Sequence, residues 1–453
     1  MKIDKKITDY SKEMIKKYEH IYEIDEDLYG TYHVKCGLRD KNGKGVLAGI
    51  SDISRVDGYQ FIDGVEKPCD GKLSYRGYDV KELVGGIVKE DRFGFEDIAF
   101  LLLFGHLPKK EELNEFQEKM GELRILPPHF VRDVIMHAPS NDIMSNMSKG
   151  ILSLASYDEK ANDLSLGHVM LQCMQLIEQT PMLGVYSYMA YRHYKLNDNL
   201  YIHRPEQDIS MAENILRLLR PDMKYTMLEA RVLDIALILH MEHGGGNNST
   251  FTTRVVSSSG ADTYSVMSAA LCALKGPKHG GANIMVMKMI EDLKQNVSNL
   301  KDEDAVRNYL EKLVDGEAFD RKGLIYGMGH AVYSISDPRA RIFKKFVEKL
   351  SEEKKLHEEF ELYEMIERLA PLVIAGKRRI YKGVSANVDF YSGFVYRMLD
   401  IPVELFTPIF ASARMVGWSA HRLEELISGD KIIRPAYKSI VEDRTYQPLN
   451  ERD

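Results

Sequence analysis

Three histidines stand against glycines, in His243-Gly-Gly-Gly246, His279-Gly-Gly281 and Gly329-His330. Glycine lets a ligand approach the backbone closely, and it ends helices. A single histidine in such a setting reads as a cap or a core residue; three of them read as a site. His279 is followed by Gly280-Gly281-Ala282-Asn283 and then by an apolar run of helical period. Its ring therefore lies near the exposed N–H groups of a helix start, which disfavour imidazolium. A neutral imidazole can still donate to a developing oxyanion. Asp389 lies in Asn387-Val-Asp-Phe-Tyr-Ser-Gly393, one acid among apolar and aromatic neighbours. That setting raises a carboxylate pKa toward working pH. Alone, Asp389 reads as a helix cap; beside neutral histidine donors it makes a base for a carbon acid. In Asp337-Pro338-Arg339, Asp337 is an N-cap and Pro338 a first-turn residue. Arg339 is then either a solvated side chain or an anion-binding one, and arginine beside histidine suits a carboxylate substrate. The basic run Lys377-Arg378-Arg379-Ile-Tyr-Lys382 fits a grip on phosphates and equally a solvated turn.

Other chemistries lack their signatures. Gly327-Met-Gly329-His-Ala-Val332 has no third glycine and no strand before it, so it is not a dinucleotide loop. Gly71-Lys72 is followed by Leu73, not Ser or Thr, and Gly383-Val-Ser385-Ala-Asn387 lacks the last glycine of a nucleophile elbow. His240 and His243 share a helix face, but their spacing matches no zinc helix and no third ligand follows, so no metal is expected.

The elements that must carry these residues are helices. Ile215, Leu216, Leu218 and Leu219 stop at Pro221; Met227 to Ile238 form a buried helix running toward His243; Ile284 to Leu293 repeat at helical spacing. Short strand candidates occur only near residues 45–75, so the fold class is all-α. Ala138–Gly150, Leu196–Asp208 and Gln295–Asp304 read as polar connectors, and Ser351–Glu359 as a solvated helix face. Residues 1–28 read as an amphipathic helix with Ile7, Met14, Tyr18 and Ile21 on one face. The chain has 453 residues, 44% hydrophobic and 28% charged, with a net charge of -7. That is room for two or three domains, and it argues against a nucleic-acid binder. Four dispersed cysteines exclude a disulfide framework. A charged N-terminus and the lack of a long apolar run predict a cytoplasmic protein without membrane contact.

Taken in order, these motifs resemble the citrate synthase family, which includes the 2-methylcitrate synthases. The likeness runs from about Leu47 to Lys438. It is carried by Leu73-Ser-Tyr-Arg-Gly-Tyr78, Phe95 to Pro108, His243-Gly-Gly-Gly-Asn247-Asn-Ser-Thr-Phe251, Gly276-Pro-Lys-His279-Gly-Gly-Ala-Asn283, Gly327 to Val332, Asp337-Pro-Arg339 and Asn387 to Gly393. The resemblance implies an all-α homodimer with a two-domain subunit. A large domain would span 1–281 and 391–453, and a small one, 282–390, would close over the cleft on the acyl-CoA side. It implies condensation of acetyl-CoA with oxaloacetate to citrate and CoA, with no cofactor beyond the thioester substrate. Propionyl-CoA and 2-methylcitrate are the alternative within the class, and a non-catalytic metabolite-binding dimer the alternative outside it. By the resemblance Asp389 is the base, His279 the donor to the thioester oxygen and His330 the donor to the ketone. His243, Asn247, Arg339 and Arg414 hold oxaloacetate, with Arg434 supplied from the neighbouring subunit. Ser334 and Ala331 stand where many members carry a basic residue toward CoA, leaving Lys377, Arg378, Arg379 or Lys382 for that task.

Overall fold

A computed structural model describes residues 3–40, 45–377 and 383–452. The chain divides into two compact units, one formed by 1–48 with 434–453 and the other by 49–433. In the terminal unit, Asp4 caps helix α1 (Lys5–Tyr18) by accepting from the Lys6 amide. α1 buries none of its residues, so the apolar face expected for Ile7, Met14 and Tyr18 is left uncovered within this unit. A short α2 (Asp27–Thr31) follows, and Lys438 lies over the Tyr32 ring at 5.4 Å.

The main unit opens with a sheet where short strands are expected. β1 (Ser54–Ile62) and β2 (Val65–Tyr75) form an antiparallel hairpin, in register from Ser54↔Tyr75 to Ile62↔Val65, with an irregularity between Asp57 and Tyr59. Asp63-Gly64 closes it, both with positive φ, as a two-residue turn matched to strand twist requires. β3 (Tyr78–Asp79) completes the sheet.

The rest is helical: α3 (Val80–Lys89), α4 (Phe95–Phe104), α5 (Lys110–Glu122), α6 (Ile143–Leu154), α7 (Leu166–Leu196), α8 (Met211–Leu219) and α9 (Met227–His240). Then come α10 (Asn248–Ser258), α11 (Thr263–Lys275), α12 (Ala282–Asn296), α13 (Glu303–Val314), α14 (Pro338–Glu353), α15 (His357–Lys377), α16 (Val388–Met398) and α17 (Phe406–Ser428). α17 lies at the centre against α7, α9 and α10, and α12 to α16 pack on one another. α9 and α17 are buried nearly all round, which is why their sequences show apolar runs without a polar face.

Two sequence expectations are corrected. α6 begins at Ile143, inside the stretch read as a connector, because Ile143, Met144, Met147 and Ile151 pack into the core and Asp142 caps the helix. Ser351–Glu359 is not one helix face. Lys355 adopts φ 58, which breaks the chain between α14 and α15, and Lys354 is drawn in to buried Glu229. Among the described residues no helix is long and apolar enough to cross a membrane.

Candidate active site

Each candidate side chain sits where a helix starts, stops or is buried through its middle. His243 follows the end of α9, and Asn247 is the N-cap of α10. His279 lies in the turn between α11 and α12. His330 precedes α14, whose first turn carries Arg339. Asp389 is in the first turn of α16, and Arg414 is in the middle of α17.

Asn387 joins two of these pieces. Its Oδ1 accepts the Asp389 amide at 3.0 Å and caps α16; its Nδ2 donates to the Gly329 carbonyl at 2.9 Å. The Gly329 amide donates to Ser385 O at 2.8 Å, and the Asn387 amide to Gly327 O at 2.9 Å. Gly327 makes this approach possible: its φ is +80, and a Cβ there would meet Phe390 and Val286 at 2.9 Å. The loop bearing His330 is thus tied to the helix bearing Asp389. Replacing Asn387 by alanine is expected to cost about 1–2 kcal/mol of stability through the lost cap, and activity with it. Asn387→Asp restores the cap but not the bond to Gly329, so it should recover the melting temperature more than turnover, read by thermal melts and thiol release. Equal recovery of both would show that the cap is all that matters.

The three imidazoles are fixed in different ways. His330 Nδ1 accepts the amides of Val332 and Tyr333 at 3.1 and 3.2 Å, which leaves its proton on Nε2. His243 is buried, and burial with the nearby charges of Arg339 and Arg414 holds its pKa well below the usual histidine value. The same causes, burial and then Arg414, push His279 down to about 4. His279 Nε2 lies 3.1 Å from Ser249 Oγ, which also receives the Trp418 indole N–H at 3.3 Å and lies 2.9 Å from Asn247 Oδ1. The rings of His243 and His330 meet edge-on, with centroids 5.0 Å apart.

The charged groups divide into paired and unpaired. Arg339 is buried and forked onto Asp337, with Nε to Oδ1 at 3.1 Å and Nη2 to Oδ2 at 2.7 Å. Arg414 is fully buried with less compensation. Its Nε donates to the His240 carbonyl at 2.7 Å, its Nη1 has no hydrogen-bond partner among the described residues, and burial pushes its pKa down to about 10. Half-buried Asp389 is pushed up to about 6 by burial, with Arg339 and Arg414 opposing and Asp337 reinforcing the shift. Arg414 acts on His243, His279 and Asp389, which shows that these groups share one electrostatic environment.

The structure therefore brings together His243, Asn247, His279, His330, Arg339, Asp389 and Arg414. Arg434 is exposed and belongs to the terminal unit. Lys377 ends α15 and pairs with Asp315 at 2.8 Å; Arg378, Arg379 and Lys382 lie outside the described residues. Among the described residues no group of three or more His, Cys, Asp or Glu is placed to hold a metal. His240, expected to share a helix face with His243, instead ends α9 and packs against Phe410 with ring centroids 4.4 Å apart, while His243 lies beyond the helix. Sequence reasoning missed Tyr333, Ser249 and Trp418, since a tyrosine, a serine or a tryptophan in an apolar helical chain carries no signal of its own. A crevice of about 930 Å³ lies elsewhere, around Arg92, Glu96, Arg124 and Arg231, and shares no residue with the site.

A carboxylate near neutrality, imidazoles and buried guanidiniums are groups that carbon–carbon bond formation on an anionic carbonyl substrate requires. The citrate synthase C-terminal domain model matches residues 38–436, and the chain belongs to the citrate synthase family, a family of acyltransferase enzymes. It is 34% identical to the citrate synthase of Synechocystis sp., over 90% of this chain and 92% of the relative. It is 32% identical to the 2-methylcitrate synthase of Shewanella oneidensis, over 84% of this chain and 92% of the relative. The citrate synthase of Pyrobaculum aerophilum superimposes with a TM-score of 0.71 at 30% identity, covering 90% of this chain and 94% of that one. The citrate synthase of Thermoplasma acidophilum, solved as a ternary complex with carboxymethyl coenzyme A and oxaloacetate, superimposes with a TM-score of 0.73 at 26% identity, covering 92% and 99%.

Proposed function

We propose that the protein condenses acetyl-CoA with oxaloacetate and water to give citrate and CoA. The observation that carries this reading is the grouping of a carboxylate titrating near 6 with three imidazoles, two of them pushed well down in pKa, and two buried arginines. Asp389 takes a proton from the thioester methyl, and the electron pair moves onto the thioester oxygen. His279 donates to that oxygen and stabilises the enol or enolate. The enol carbon attacks the ketone carbon of oxaloacetate, whose oxygen His330 polarises by donating its Nε2–H as a hydrogen bond; the proton taken from the methyl ends on the new hydroxyl, so His330 stays neutral. Water then attacks the thioester carbonyl of citryl-CoA, the C–S bond breaks, and CoA leaves as the thiol. Arg339, Arg414, His243 and Asn247 hold the oxaloacetate carboxylates; Arg339 can do so only by sharing or exchanging Asp337.

The working form is a homodimer with Arg434 reaching the neighbouring subunit's site. Residues 282–390 act as a small domain that closes over the cleft before condensation, excluding water from the enolate. Contact with the CoA phosphates is assigned to the basic run Lys377, Arg378, Arg379 and Lys382. The protein works in the cytoplasm without a further cofactor. Arg434→Leu and Asp389→Ala are each expected to be inactive or nearly so. Mixed dimers of the two should regain a fraction of wild-type turnover if the sites are shared; no recovery after demonstrated subunit exchange would count against sharing.

The test of function is free-thiol release with oxaloacetate, comparing acetyl-CoA with propionyl-CoA. Preference for acetyl-CoA supports the reading. Preference for propionyl-CoA supports 2-methylcitrate synthesis, the activity named for the Shewanella relative. One methylene is worth only about 1–3 kcal/mol in a pocket, so some release with both is expected. No release with either would favour a non-catalytic metabolite-binding dimer.

A further inference from the structure

We infer that Tyr333 is a positioning residue that fixes His243 and His330 relative to each other, and that the β1–β2 hairpin holds it there; the inference rests on the oxaloacetate reading of those two histidines. Tyr333 is completely buried. Its ring stacks on the His330 imidazole, centroids 4.7 Å apart and planes 25° from parallel, and it stands edge-on to His243 at 5.5 Å. Its hydroxyl lies 3.2 Å from His243 Nε2 and 3.4 Å from the Lys72 carbonyl on β2. Its own amide donates to His330 Nδ1. The Arg339 guanidinium carbon is 6.0 Å from its ring centroid. One side chain therefore touches both histidines that meet the ketone substrate and lies beside an arginine that binds its carboxylate.

The contact to His243 has a protonic consequence. The phenol gives its one proton to the Lys72 carbonyl, so its oxygen accepts from His243 Nε2–H and sets the ring proton on Nε2. The stack restrains His330, whose Nδ1 is already engaged by the loop backbone, to one ring plane.

The hairpin is shaped to admit this residue. A Cβ at Gly71 would lie 2.6 Å from Tyr333 Cδ1 and 2.1 Å from the Ser336 carbonyl oxygen. A Cβ at Gly58 would lie 2.4 Å from the Val332 carbonyl oxygen and 3.3 Å from Tyr333 Cα. Two glycines on paired strands thus let the sheet lie directly on the loop. Tyr59 OH to Ser334 Oγ at 3.0 Å and Ser336 Oγ to Asp70 at 2.8 Å fasten it. The same hairpin reaches the His243 segment at its base, where Ser54 Oγ donates to Glu242 at 2.8 Å and Tyr75 OH donates to the Glu242 carbonyl at 3.2 Å. The sheet therefore bridges the two histidine segments.

The experiment is steady-state thiol release with oxaloacetate varied, joined to calorimetric oxaloacetate binding, on wild type, Tyr333→Phe, Tyr333→Leu and Gly71→Ala. Tyr333→Phe removes the buried hydrogen bond to His243 and should raise the KM and Kd for oxaloacetate about tenfold, with kcat and the KM for acyl-CoA little changed. Tyr333→Leu also removes the stack and should lower kcat as well. Gly71→Ala, remote from the chemistry, should move the oxaloacetate KM in the same direction. Oxaloacetate KM and Kd at wild-type values in Tyr333→Phe would overturn the inference, as would equal changes toward both substrates. Should Tyr333→Leu fail to fold, the phenylalanine variant decides alone. If wild type releases no thiol with either acyl-CoA, the catalytic reading fails, while the binding comparison still tests Tyr333.

Discussion

Asp389→Asn should lower kcat by about 10²–10⁴-fold, the range a positioned general base contributes, while oxaloacetate still binds. Asparagine keeps the shape and the α16 start but cannot take the methyl proton. Calorimetry with oxaloacetate and thiol release with acetyl-CoA separate the two effects. Loss of oxaloacetate binding would mean that the carboxylate organises the arginines instead, and retention of turnover would place the base elsewhere.

The pH dependence follows from the same group. Asp389 titrates near 6, so kcat/KM should fall as pH drops through 6. His279, at about 4, becomes cationic only well below that and should not set the limb. The limb should vanish in the residual activity of Asp389→Asn. Stability has the opposite sense. The folded pKa lies above the unfolded value near 3.9, so burial penalises the carboxylate. That penalty is absent below about pH 4, grows from there to pH 6 and is full above it. Asp389→Asn should therefore be more stable than wild type at pH 8, by at most about 3 kcal/mol, and no more stable at pH 4. Equal Tm differences at both pH values would show that Asp389 is not strained by its surroundings.

What could be read from the sequence, and what could not, follows from the kind of signal each residue leaves. His243, His279 and His330 were visible because each stands beside glycines, and Asp389 because it is the one acid in an aromatic stretch. The hairpin was visible only as short strand candidates, since its Gly58 and Gly71 answer to a loop more than 260 residues later in the chain. Tyr333, Ser249 and Trp418 could not be separated from core residues, because what distinguishes them is whom they touch. Glu242 is a similar case. Held by His421 at 3.0 Å and by Ser54 against burial, it is a buried acid kept near 2, and only the fold supplies both partners. Helix α6 was hidden by its serines and its asparagine, although its apolar residues recur at helical spacing.

Arg414→Met should reduce kcat/KM for oxaloacetate by at least about 10²-fold without lowering the melting temperature much, an unusual pair of effects for a side chain with no exposed surface. Truncating one partner of a buried charge pair costs about 2–5 kcal/mol of binding, and here the missing partner is the substrate's carboxylate. Among the described residues Arg414 donates to the His240 carbonyl and lies 4.8 Å from the Phe410 ring, with Glu242 as a more distant opposing charge, and its Nη1 has no hydrogen-bond partner. Its depressed pKa means that the folded protein bears the cost of this charge at every pH below about 10. Methionine of similar length removes that cost along with the hydrogen bond, so the two changes oppose each other in stability and not in binding. Arg339 is the contrasting case. Its guanidinium is matched by Asp337, so Arg339→Met strands a buried carboxylate and should lower stability as well as activity. A sharp loss of stability in Arg414→Met with an unchanged oxaloacetate KM would make Arg414 structural and leave the substrate held by Arg339 and the histidines alone.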